Sequence, residues 1–313
     1  MKLVRFCAEE GRPARLGVWT DAGILDVAAC ARKYARYAGE QGGLSLPESP
    51  LGLIRDAAAL DTVRDFVERA VADPEARATA DPEAPGVLLD AGKVRFLAPV
   101  PRPSKIICIG LNYRDHCIEH GNPIPTLPVV FSKFATAVLD PGAPIVCPRV
   151  TGKMDYEAEL GVVISRGGRH IAREEALAHV GGYLNFNDVT ARDLQKLDGQ
   201  WIRAKSCDTF APMGPALVTA DEIPDPQNLA IACRVNGQVV QNSNTVQMIF
   251  TVAYLVSFLS EFMTLEPGDV IATGTPPGVG NARKPPVYLK AGDMVEVEVE
   301  GLGVLSNPVV DEE

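Results

Sequence analysis

The sequence of 313 residues predicts an α+β fold, in which a mainly β, mixed-sheet domain follows a small N-terminal α/β domain. The first third contains three strand-like pieces and one stretch with apolar residues at helical spacing, at residues 3–6, 15–19, 23–27 and 51–78. From residue 104 onward, short apolar strands alternate with turns that contain Gly and Pro. Three prolines between positions 99 and 103 separate the two patterns. We therefore predict an N-terminal domain and linker at 1–100 and the larger domain at 101–313.

The remaining elements follow from local patterns. In the first third, Ala-Asp-Pro-Glu-Ala occurs at 72–76 and again at 80–84, which indicates helix ends and a linker. In the larger domain, Asn236-Gly237 lies between two apolar runs and predicts a hairpin, because Asn and Gly tolerate the positive φ angles of a type I′ turn. Residues 293–300 alternate valine with acidic residues over most of their length, which is typical of an antiparallel strand with one wet face.

The most apolar stretch, at residues 246–260, is too short for a membrane span, which needs about 20 residues. Its apolar side chains recur at helical spacing, at Met248, Val252, Leu255 and Leu259. This spacing favours a buried amphipathic helix, and we expect no membrane partner. The N-terminus alternates polar and apolar residues and does not resemble a secretory signal.

Composition excludes several classes of function. The net charge is -10, from 40 acidic and 30 basic residues, so a nucleic-acid partner is not expected. Neither a G-x-G-x-x-G sequence after a strand nor a Walker sequence is present, which leaves nucleotide chemistry without support. Seven dispersed cysteines without a C-x-x-C pair argue against a disulfide framework or a zinc ribbon. We expect reduced thiols and a cytoplasmic location.

Three acidic residues alternate at Asp155, Glu157 and Glu159, just before an apolar run. In a strand they would share one face about 7 Å apart and repel each other by roughly 2 kcal/mol. A bound cation would remove that repulsion, and oxygen ligands favour Mg²⁺, Mn²⁺ or Ca²⁺ over zinc. The alternative is a solvated strand face that is acidic.

Asp188 ends a mostly apolar stretch and lies just before a predicted helix start, with Arg192 and Gln195 following at positions four and seven. It is either a helix N-cap or a third cation ligand, with Arg192 and Gln195 projecting from one helix face toward a substrate. Lys205 would bind a substrate carboxylate if it lay near a metal, and otherwise is surface charge.

Two of the four histidines lie in His116-Cys-Ile-Glu119-His120, which matches the H-x-x-E-H pattern of a zinc protease class. Gly110 upstream and Gly121-Asn-Pro directly downstream leave room for at most two helical turns, and a third zinc ligand has no obvious candidate. Another interpretation is a structural histidine pair. A third is a His116–Glu119 dyad in which Glu119 orients the imidazole to activate water, on a short helix that acts as a lid.

Residues 269–280 predict a strand followed by a loop rich in Gly and Pro. Such a loop either presents backbone N–H groups and the Thr275 hydroxyl to a substrate oxyanion, or is only a tight turn.

Together these segments resemble the fumarylacetoacetate hydrolase superfamily. The matching segments are Gly110-Leu-Asn-Tyr-Arg-Asp-His116 with Glu119, Phe131-Ser-Lys133, Asp155-Tyr-Glu-Ala-Glu-Leu-Gly161, Asp188-Val-Thr-Ala-Arg-Asp193, Ala204-Lys-Ser206 and Thr273-Gly-Thr-Pro-Pro-Gly-Val-Gly280. The similarity runs from about residue 104 to 310, and within the superfamily the chain is similar to the fumarylacetoacetate hydrolase domain-containing protein 2 group. The long N-terminal domain of fumarylacetoacetase proper is not evident in the first 100 residues.

The resemblance implies a β-roll-like fold of mixed sheets, a homodimer, and Mg²⁺ or Mn²⁺, with Ca²⁺ as a further candidate. By position, Glu157, Glu159 and Asp188 match the metal ligands, with Asp155 as their neighbour. His116 and Glu119 match the lid dyad of the acylpyruvase branch, and with Lys205 they form the predicted catalytic set. Four further residues match substrate-side positions, namely Lys133, Arg192, Gln195 and Thr275.

The function that this predicts is metal-dependent chemistry on a small 2-oxo acid. The first expectation is hydrolytic C–C cleavage of an acylpyruvate-type substrate through a stabilised enolate. The alternative is oxaloacetate decarboxylation or keto–enol exchange at the same site. A zinc protease and a non-catalytic binding module remain as more distant alternatives.

Overall fold

The computed structural model describes residues 1–8, 11–34, 46–73, 76 and 86–313. Its N-terminal part contains strands β1 (Lys2–Cys7), β2 (Arg15–Thr20), β3 (Gly23–Asp26), β4 (Leu88–Leu89) and β5 (Arg95–Leu97), and helices α1 (Val27–Tyr34), α2 (Pro50–Leu53) and α3 (Ala57–Ala72). The strands and helices predicted here are confirmed. Helix α3 ends at Ala72, inside the first copy of the repeated pentapeptide, whereas the second copy, at 80–84, lies outside the described residues.

The larger part of the chain is rich in strands. The strands are β6 (Ile106–Gly110), β7 (Val129–Lys133), β8 (Val138–Leu139), β9 (Ile145–Cys147), β10 (Met154–Asp155), β11 (Ala158–Ile164), β12 (Val180–Asn187), β13 (Thr190–Ala191), β14 (Ala211–Thr219), β15 (Ala230–Val235), β16 (Gln238–Asn244), β17 (Val270–Ala272), β18 (Met294–Val299) and β19 (Val304–Asp311). The α-helices are α4 (Arg114–His120), α5 (Arg192–Asp198), α6 (Ile202–Lys205) and α7 (Val252–Phe262). Short 3₁₀ turns cover Ala91–Lys93, Ala135–Ala137, Ala176–His179, Ala220–Glu222, Thr245–Gln247 and Gly280–Ala282.

Two large sheets and one small one organise these strands. The largest has twelve strands, in the order β4-β3-β2-β1-β14-β12-β11-β17-β6-β7, with β5 paired to β1 and β8 paired to β14. A five-stranded sheet has the order β16-β15-β18-β19-β9, and β10 pairs with β13. Most pairs are antiparallel, but β6 with β17, β8 with β14 and β9 with β19 are parallel. The predicted mixed-sheet α+β class is therefore confirmed.

The N-terminal strands continue the sheet of the larger part. Strand β1 pairs antiparallel with β14, so that Lys2 lies opposite Val218 and Leu3 opposite Leu217. Apolar side chains of both parts belong to one continuous core. The division of the chain between residues 100 and 101 stays a prediction.

Several local predictions agree with the structure. Asn236 and Gly237 have φ angles of 51° and 78°, as a type I′ turn requires, and they connect β15 to β16. Strand β18 alternates buried and partly exposed residues as predicted. The apolar stretch forms helix α7, and among the described residues no helix has the length and apolarity to cross a membrane. All seven cysteines lie in the described part of the chain and are free.

The structure corrects the strand predicted across the three alternating carboxylates. Strand β10 ends at Asp155 and β11 begins at Ala158, so Tyr156 and Glu157 lie between two strands. The break arises because the N–H groups of Glu157 and Ala158 donate to side chains, those of Asn187 and Gln241. Consequently Asp155 does not share one continuous strand face with the two glutamates.

The structure excludes the N-cap alternative for Asp188. Helix α5 begins four residues later, at Arg192, and its N-cap is Ala191, which makes no side-chain capping bond. Asp188 instead occupies the tight connection between β12 and β13, where its N–H donates to the Glu157 carbonyl at 2.9 Å.

Candidate active site

Three buried carboxylates meet beside the central strands of the large sheet. We call Glu157, Glu159 and Asp188 the carboxylate cluster, and one oxygen from each lies within 4.8 Å of the others. The antiparallel register of β11 and β12 places Ala158 opposite Asn187, which brings Glu157 next to Asp188. Each of the three residues is at most 6% exposed. Three anions at this separation need compensating positive charge.

Lys205 supplies part of that charge. Its Nζ lies 2.7 Å from Glu157 Oε2 and 2.7 Å from Asp188 Oδ2, and the side chain is buried. Burial disfavours the ammonium form, but Asp188 and Glu157 outweigh it, and the net effect raises the pKa of Lys205. Lys205 is therefore a fixed positive charge at neutral pH, positioned between two of the three carboxylates.

Lys133 lies behind the cluster. Its Nζ is 2.5 Å from Asp188 Oδ1 and 3.0 Å from the Val189 carbonyl, and its side chain is fully buried. It is not among the residues that line the adjacent cavity. Asp188 and the Val189 carbonyl accept two of its three N–H donors, and the substrate-binding role of Lys133 stays a prediction.

Arg192 lies on the opposite side of Glu157. Its Nη2 is 2.6 Å from Glu157 Oε1, and its Nη1 donates to Gln195 Oε1 at 3.1 Å. Since Gln195 uses its oxygen for Arg192, its NH₂ group is left to donate toward a ligand. The predicted pairing of Arg192 and Gln195 on one helix face is present in α5.

Asp155 anchors Arg192 rather than a cation. Its Oδ2 accepts from Arg192 Nε at 2.8 Å and from the Asn281 N–H at 3.0 Å, while Oδ1 accepts from the Gly280 N–H at 2.7 Å. The pairing of β10 with β13 brings Asp155 to Arg192, because β13 ends directly before this arginine.

The pKa values of two carboxylates in the cluster are shifted in opposite directions. For Glu159, burial and the neighbouring Asp188 and Glu157 carboxylates raise the pKa well above its usual value. For Glu157, burial acts in the same direction, but Lys205 and Arg192 outweigh it and lower the pKa to about 2. Glu159 forms no ion pair with any residue that the structure describes, and its Oε2 accepts from the Gly274 N–H at 2.9 Å.

These residues fit a hard dication. The donor set consists of oxygens only, which is the preference of Mg²⁺ and Mn²⁺. Four buried carboxylates, including Asp155, face three cations (Lys133, Arg192 and Lys205), which leaves one formal negative charge. A dication would reverse that sign and relieve the repulsion that acts on Glu159.

Helix α4 carries a second group of candidate residues. His116 is buried, and its Nδ1 lies 3.4 Å from Glu119 Oε2, so the two residues of the predicted dyad are neighbours. His116 and His120 are in edge contact, with ring centroids 4.6 Å apart. The helix has seven residues and ends at Gly121, whose φ is 65°, so it is as short as the sequence predicts.

In the loop at 273–280, which we call the Gly/Pro loop, three backbone N–H groups donate to carboxylates. Gly274 donates to Glu159, Gly278 to both oxygens of Glu119 at 3.0 and 3.2 Å, and Gly280 to Asp155. The Thr275 hydroxyl donates to the Ala158 carbonyl at 3.0 Å and accepts from Gln241. The loop thus positions three acidic side chains, and the substrate-side role of Thr275 stays a prediction.

A cavity of about 480 Å³ joins these groups. Seven of the predicted residues line it, namely His116, Glu157, Glu159, Arg192, Gln195, Lys205 and Thr275. Glu119, Asp188 and Lys133 are not among the lining residues. Glu119 contacts His116, Asp188 contacts Lys205, and Lys133 contacts Asp188.

Sequence reasoning missed an aromatic wall of the cavity. Phe131 and Trp201 stand edge to face with ring centroids 5.2 Å apart, and Lys205 Nζ is 5.1 Å from the centre of the Phe131 ring. A side chain on Gly110 would lie 2.6 Å from Trp201, so this glycine makes room for the indole. Phe131 lies in one of the segments that resemble the family, but the resemblance assigns it no role. The residues around Trp201 give no indication that it lines a cavity.

Several known proteins are similar to this chain in sequence and in fold. The profile of the family described as fumarylacetoacetate (FAA) hydrolase C-terminal matches residues 105–310. The protein named oxaloacetate tautomerase fahd2, mitochondrial, from Xenopus laevis is 54% identical over 225 residues, which are 71% of this chain and 70% of that protein. This relative confirms the predicted similarity to the domain-containing protein 2 group.

Two of the similar solved structures align with this chain over the full length of both proteins. The fumarylacetoacetate hydrolase from psychrophilic Exiguobacterium antarcticum is 38% identical, with a TM-score of 0.77. The maleylpyruvate hydrolase from Sphingobium sp. SYK-6, in complex with manganese(II) ion and pyruvate, is 29% identical, with a TM-score of 0.73.

The comparisons also overturn one prediction. The Xenopus relative is mitochondrial by name, as are similar proteins from Bos taurus and Homo sapiens, which contradicts the cytoplasmic location that we expected. Free thiols and an acidic composition do not distinguish one reducing compartment from another, so the cysteines were insufficient evidence. The family profile spans about two thirds of the chain and the relatives exceed half identity. The chain therefore belongs to the fumarylacetoacetate hydrolase family.

Proposed function

We propose that this protein is a metal-dependent enzyme that interconverts the keto and enol forms of oxaloacetate or of a closely related 2-oxo acid. One observation carries the proposal: Glu157 and Glu159 of the carboxylate cluster line the same cavity as Arg192, Lys205 and His116. Cation ligands, anion-binding groups and a proton-exchanging group are thereby brought together. The names of relatives such as the Xenopus oxaloacetate tautomerase support this choice of substrate.

The charges of the site suit a small anionic oxo acid. Arg192 and Gln195 present donors from one side of the cavity, and Lys205 lies on the other side of Glu157. We propose that Arg192 and Gln195 bind a substrate carboxylate and that Lys205 faces the oxo group. A Mg²⁺ or Mn²⁺ ion held by the carboxylate cluster would supply Lewis-acid stabilisation of enolate charge. The manganese in the similar maleylpyruvate hydrolase structure supports this assignment of the ion.

The reaction moves one proton. In the keto-to-enol direction a base removes a proton from C3 of the substrate, and the oxygen at C2 receives a proton. His116 is the candidate base, since it lines the cavity and Glu119 lies 3.4 Å from its Nδ1. The carboxylate of Glu119 would stabilise the imidazolium that forms. Lys205 would remain protonated and neutralise charge at the oxo oxygen.

A second candidate is hydrolytic C–C cleavage of an acylpyruvate. The His116–Glu119 pair favours it, because the same pair that accepts a proton from C3 can accept one from water. The similar maleylpyruvate hydrolase structure agrees with hydrolysis at such a site. The predicted homodimer stays a prediction.

The two candidates separate in one set of assays. Metal-depleted protein is supplied with Mg²⁺ or Mn²⁺ and given oxaloacetate, whose enol is followed by ultraviolet absorption, while NMR follows pyruvate. Tautomerisation accelerates enol loss without forming pyruvate, whereas decarboxylation forms pyruvate from oxaloacetate. An acylpyruvate tests hydrolysis in parallel. Equal rates with and without metal would disprove the proposal, as would enol loss no faster than in buffer.

A further inference from the structure

His120 has no part in the proposed reaction, yet it completes a compact group of ligand atoms. One atom each of His116, Glu119 and His120 lies within 4.8 Å of the others. Glu119 Oε2 is 3.4 Å from His116 Nδ1 and 3.8 Å from His120 Nε2. We propose that these three residues, the histidine cluster, form a second metal site that takes Zn²⁺ or a similar borderline-soft cation.

Two of the three ligand–ligand distances are close to zinc geometry. Zinc binds histidine nitrogen and carboxylate oxygen at about 2.0–2.1 Å, so neighbouring ligands of a tetrahedral ion lie about 3.3 Å apart. The 3.4 Å contact already has this length, and the 3.8 Å contact needs to shorten by roughly half an ångström. Side-chain rotations of partly exposed residues can supply such a shift.

A second observation points to a missing ligand. Within the described part of the chain, His116 Nδ1 is buried and has no hydrogen-bond partner, although it faces Glu119 at 3.4 Å. A buried polar atom without a partner is unfavourable, and metal coordination would satisfy it. The carboxylate of Glu119 is already oriented by the Gly278 N–H, as is usual for metal ligands.

The site is open and chemically distinct from the carboxylate cluster. The side chains of Glu119 and His120 are 27% and 25% exposed, which leaves an approach for an ion and a fourth position for water. Two imidazole ligands favour zinc over magnesium, whereas the carboxylate cluster favours the reverse.

Occupancy would affect turnover. A zinc ion on His116 and Glu119 would hold the pair that exchanges the substrate proton, so micromolar zinc would inhibit the enzyme. This consequence depends on the proposed function, whereas binding itself does not. The short helix, with two turns and an open ligand position, thus explains the H-x-x-E-H pattern without a protease.

The test uses the full chain with saturating Mg²⁺, so that the carboxylate cluster is filled. Zinc binding is measured by calorimetry, and Co²⁺ serves as a spectroscopic probe, because tetrahedral Co²⁺ absorbs visible light far more strongly than octahedral Co²⁺. The variant is His120→Asn. The matched control is His170→Asn, an exposed histidine with φ of 54°, an angle that asparagine tolerates.

We expect one strong zinc site and an intense cobalt band in the wild type and in His170→Asn. In His120→Asn the band should vanish and zinc affinity should fall by more than about 100-fold, the upper range for losing even an outer partner of a ligand. Zinc should inhibit the wild type and the control but not His120→Asn, with each protein compared with its own zinc-free rate.

Equal zinc affinity of His120→Asn and the wild type would overturn the proposal, as would a cobalt spectrum of octahedral type only. If His120→Asn does not fold, Glu119→Gln is used as the test variant instead. The cobalt spectrum of the wild type tests the proposed site without any variant. Zinc binding without inhibition would remove the effect on turnover alone. A wild type that does not act on oxaloacetate would remove the proposed function and leave the zinc result intact.

Discussion

Asp155 and Arg192 form a buried ion pair in which Nε of the arginine lies 2.8 Å from Oδ2 of the aspartate. Three backbone N–H groups, of Tyr156, Gly280 and Asn281, donate to the same carboxylate. Four donors thus converge on one side chain that is 0% exposed. Asp155 thereby fastens the Gly/Pro loop to the arginine that faces the cavity.

Replacing Asp155 with asparagine should weaken substrate binding. An amide has only one acceptor oxygen, so its NH₂ group would face two of the four donors in either orientation. Arg192 would lose a charge-assisted bond that contributes about 1.5–3 kcal/mol, which corresponds to a KM at least about tenfold higher. Steady-state kinetics with oxaloacetate measures the effect.

Asp193→Asn is the matched control for that variant. Asp193 is the next residue of helix α5 and accepts from Thr151 and Gly152, not from Arg192. The Asp193→Asn variant should lose thermal stability without a change in KM. A similar rise of KM in both variants would show that Asp155 acts only through general stability.

Glu157→Gln should abolish tight binding of Mg²⁺ and Mn²⁺. The amide removes one of three anionic ligands and also leaves Lys205 and Arg192 with one fewer anionic partner. Isothermal titration of the metal-depleted protein provides the measurement. Glu296→Gln, on the wet face of β18, should bind as the wild type does, and retained affinity in Glu157→Gln would contradict the ligand assignment.

His116→Ala should reduce turnover by about 10²–10⁴-fold, the usual contribution of a general acid or base. The content of Mg²⁺ or Mn²⁺ should be unchanged, since His116 is not one of the cluster carboxylates. Enol loss and acylpyruvate cleavage should both fall if one pair serves both reactions. Loss of hydrolysis alone would show that another group moves the proton in tautomerisation.

Asn112→Ala should destabilise the fold by at least about 2 kcal/mol. The buried side chain donates to the carbonyls of Phe250 and Thr273 and accepts from the Phe250 N–H. Its removal leaves these backbone groups unpaired at the start of the Gly/Pro loop. Denaturant unfolding measures the loss, and the exposed Asn242→Ala should stay within about 0.5 kcal/mol of the wild type.

Much of the fold and site follows from local sequence. The Asn236-Gly237 turn, helix α7 and the alternating strand β18 depend on backbone preferences and side-chain periodicity that neighbouring residues express. The alternating acidic residues of the carboxylate cluster drew attention because closely spaced carboxylates repel each other, and a bound cation would remove that repulsion.

Contacts between residues that are far apart in the sequence could not be predicted from local patterns. No local pattern indicated that Lys133 would pair with Asp188, 55 residues away. Trp201, which precedes helix α6, lies in the cavity beside Gly110 of strand β6, where a larger residue would clash with the indole. Neither relationship leaves a trace in local spacing, because each depends on which strands become neighbours.

The sequence by itself determined the α+β class, the short helix α4 and the residue types of a cation site, since these depend on chemistry within a few positions. The tertiary structure alone decided that strand pairing breaks between Asp155 and Ala158. There, side-chain acceptors on other strands satisfy the backbone N–H groups of Glu157 and Ala158. That break separates Asp155, which holds Arg192, from the glutamates of the carboxylate cluster.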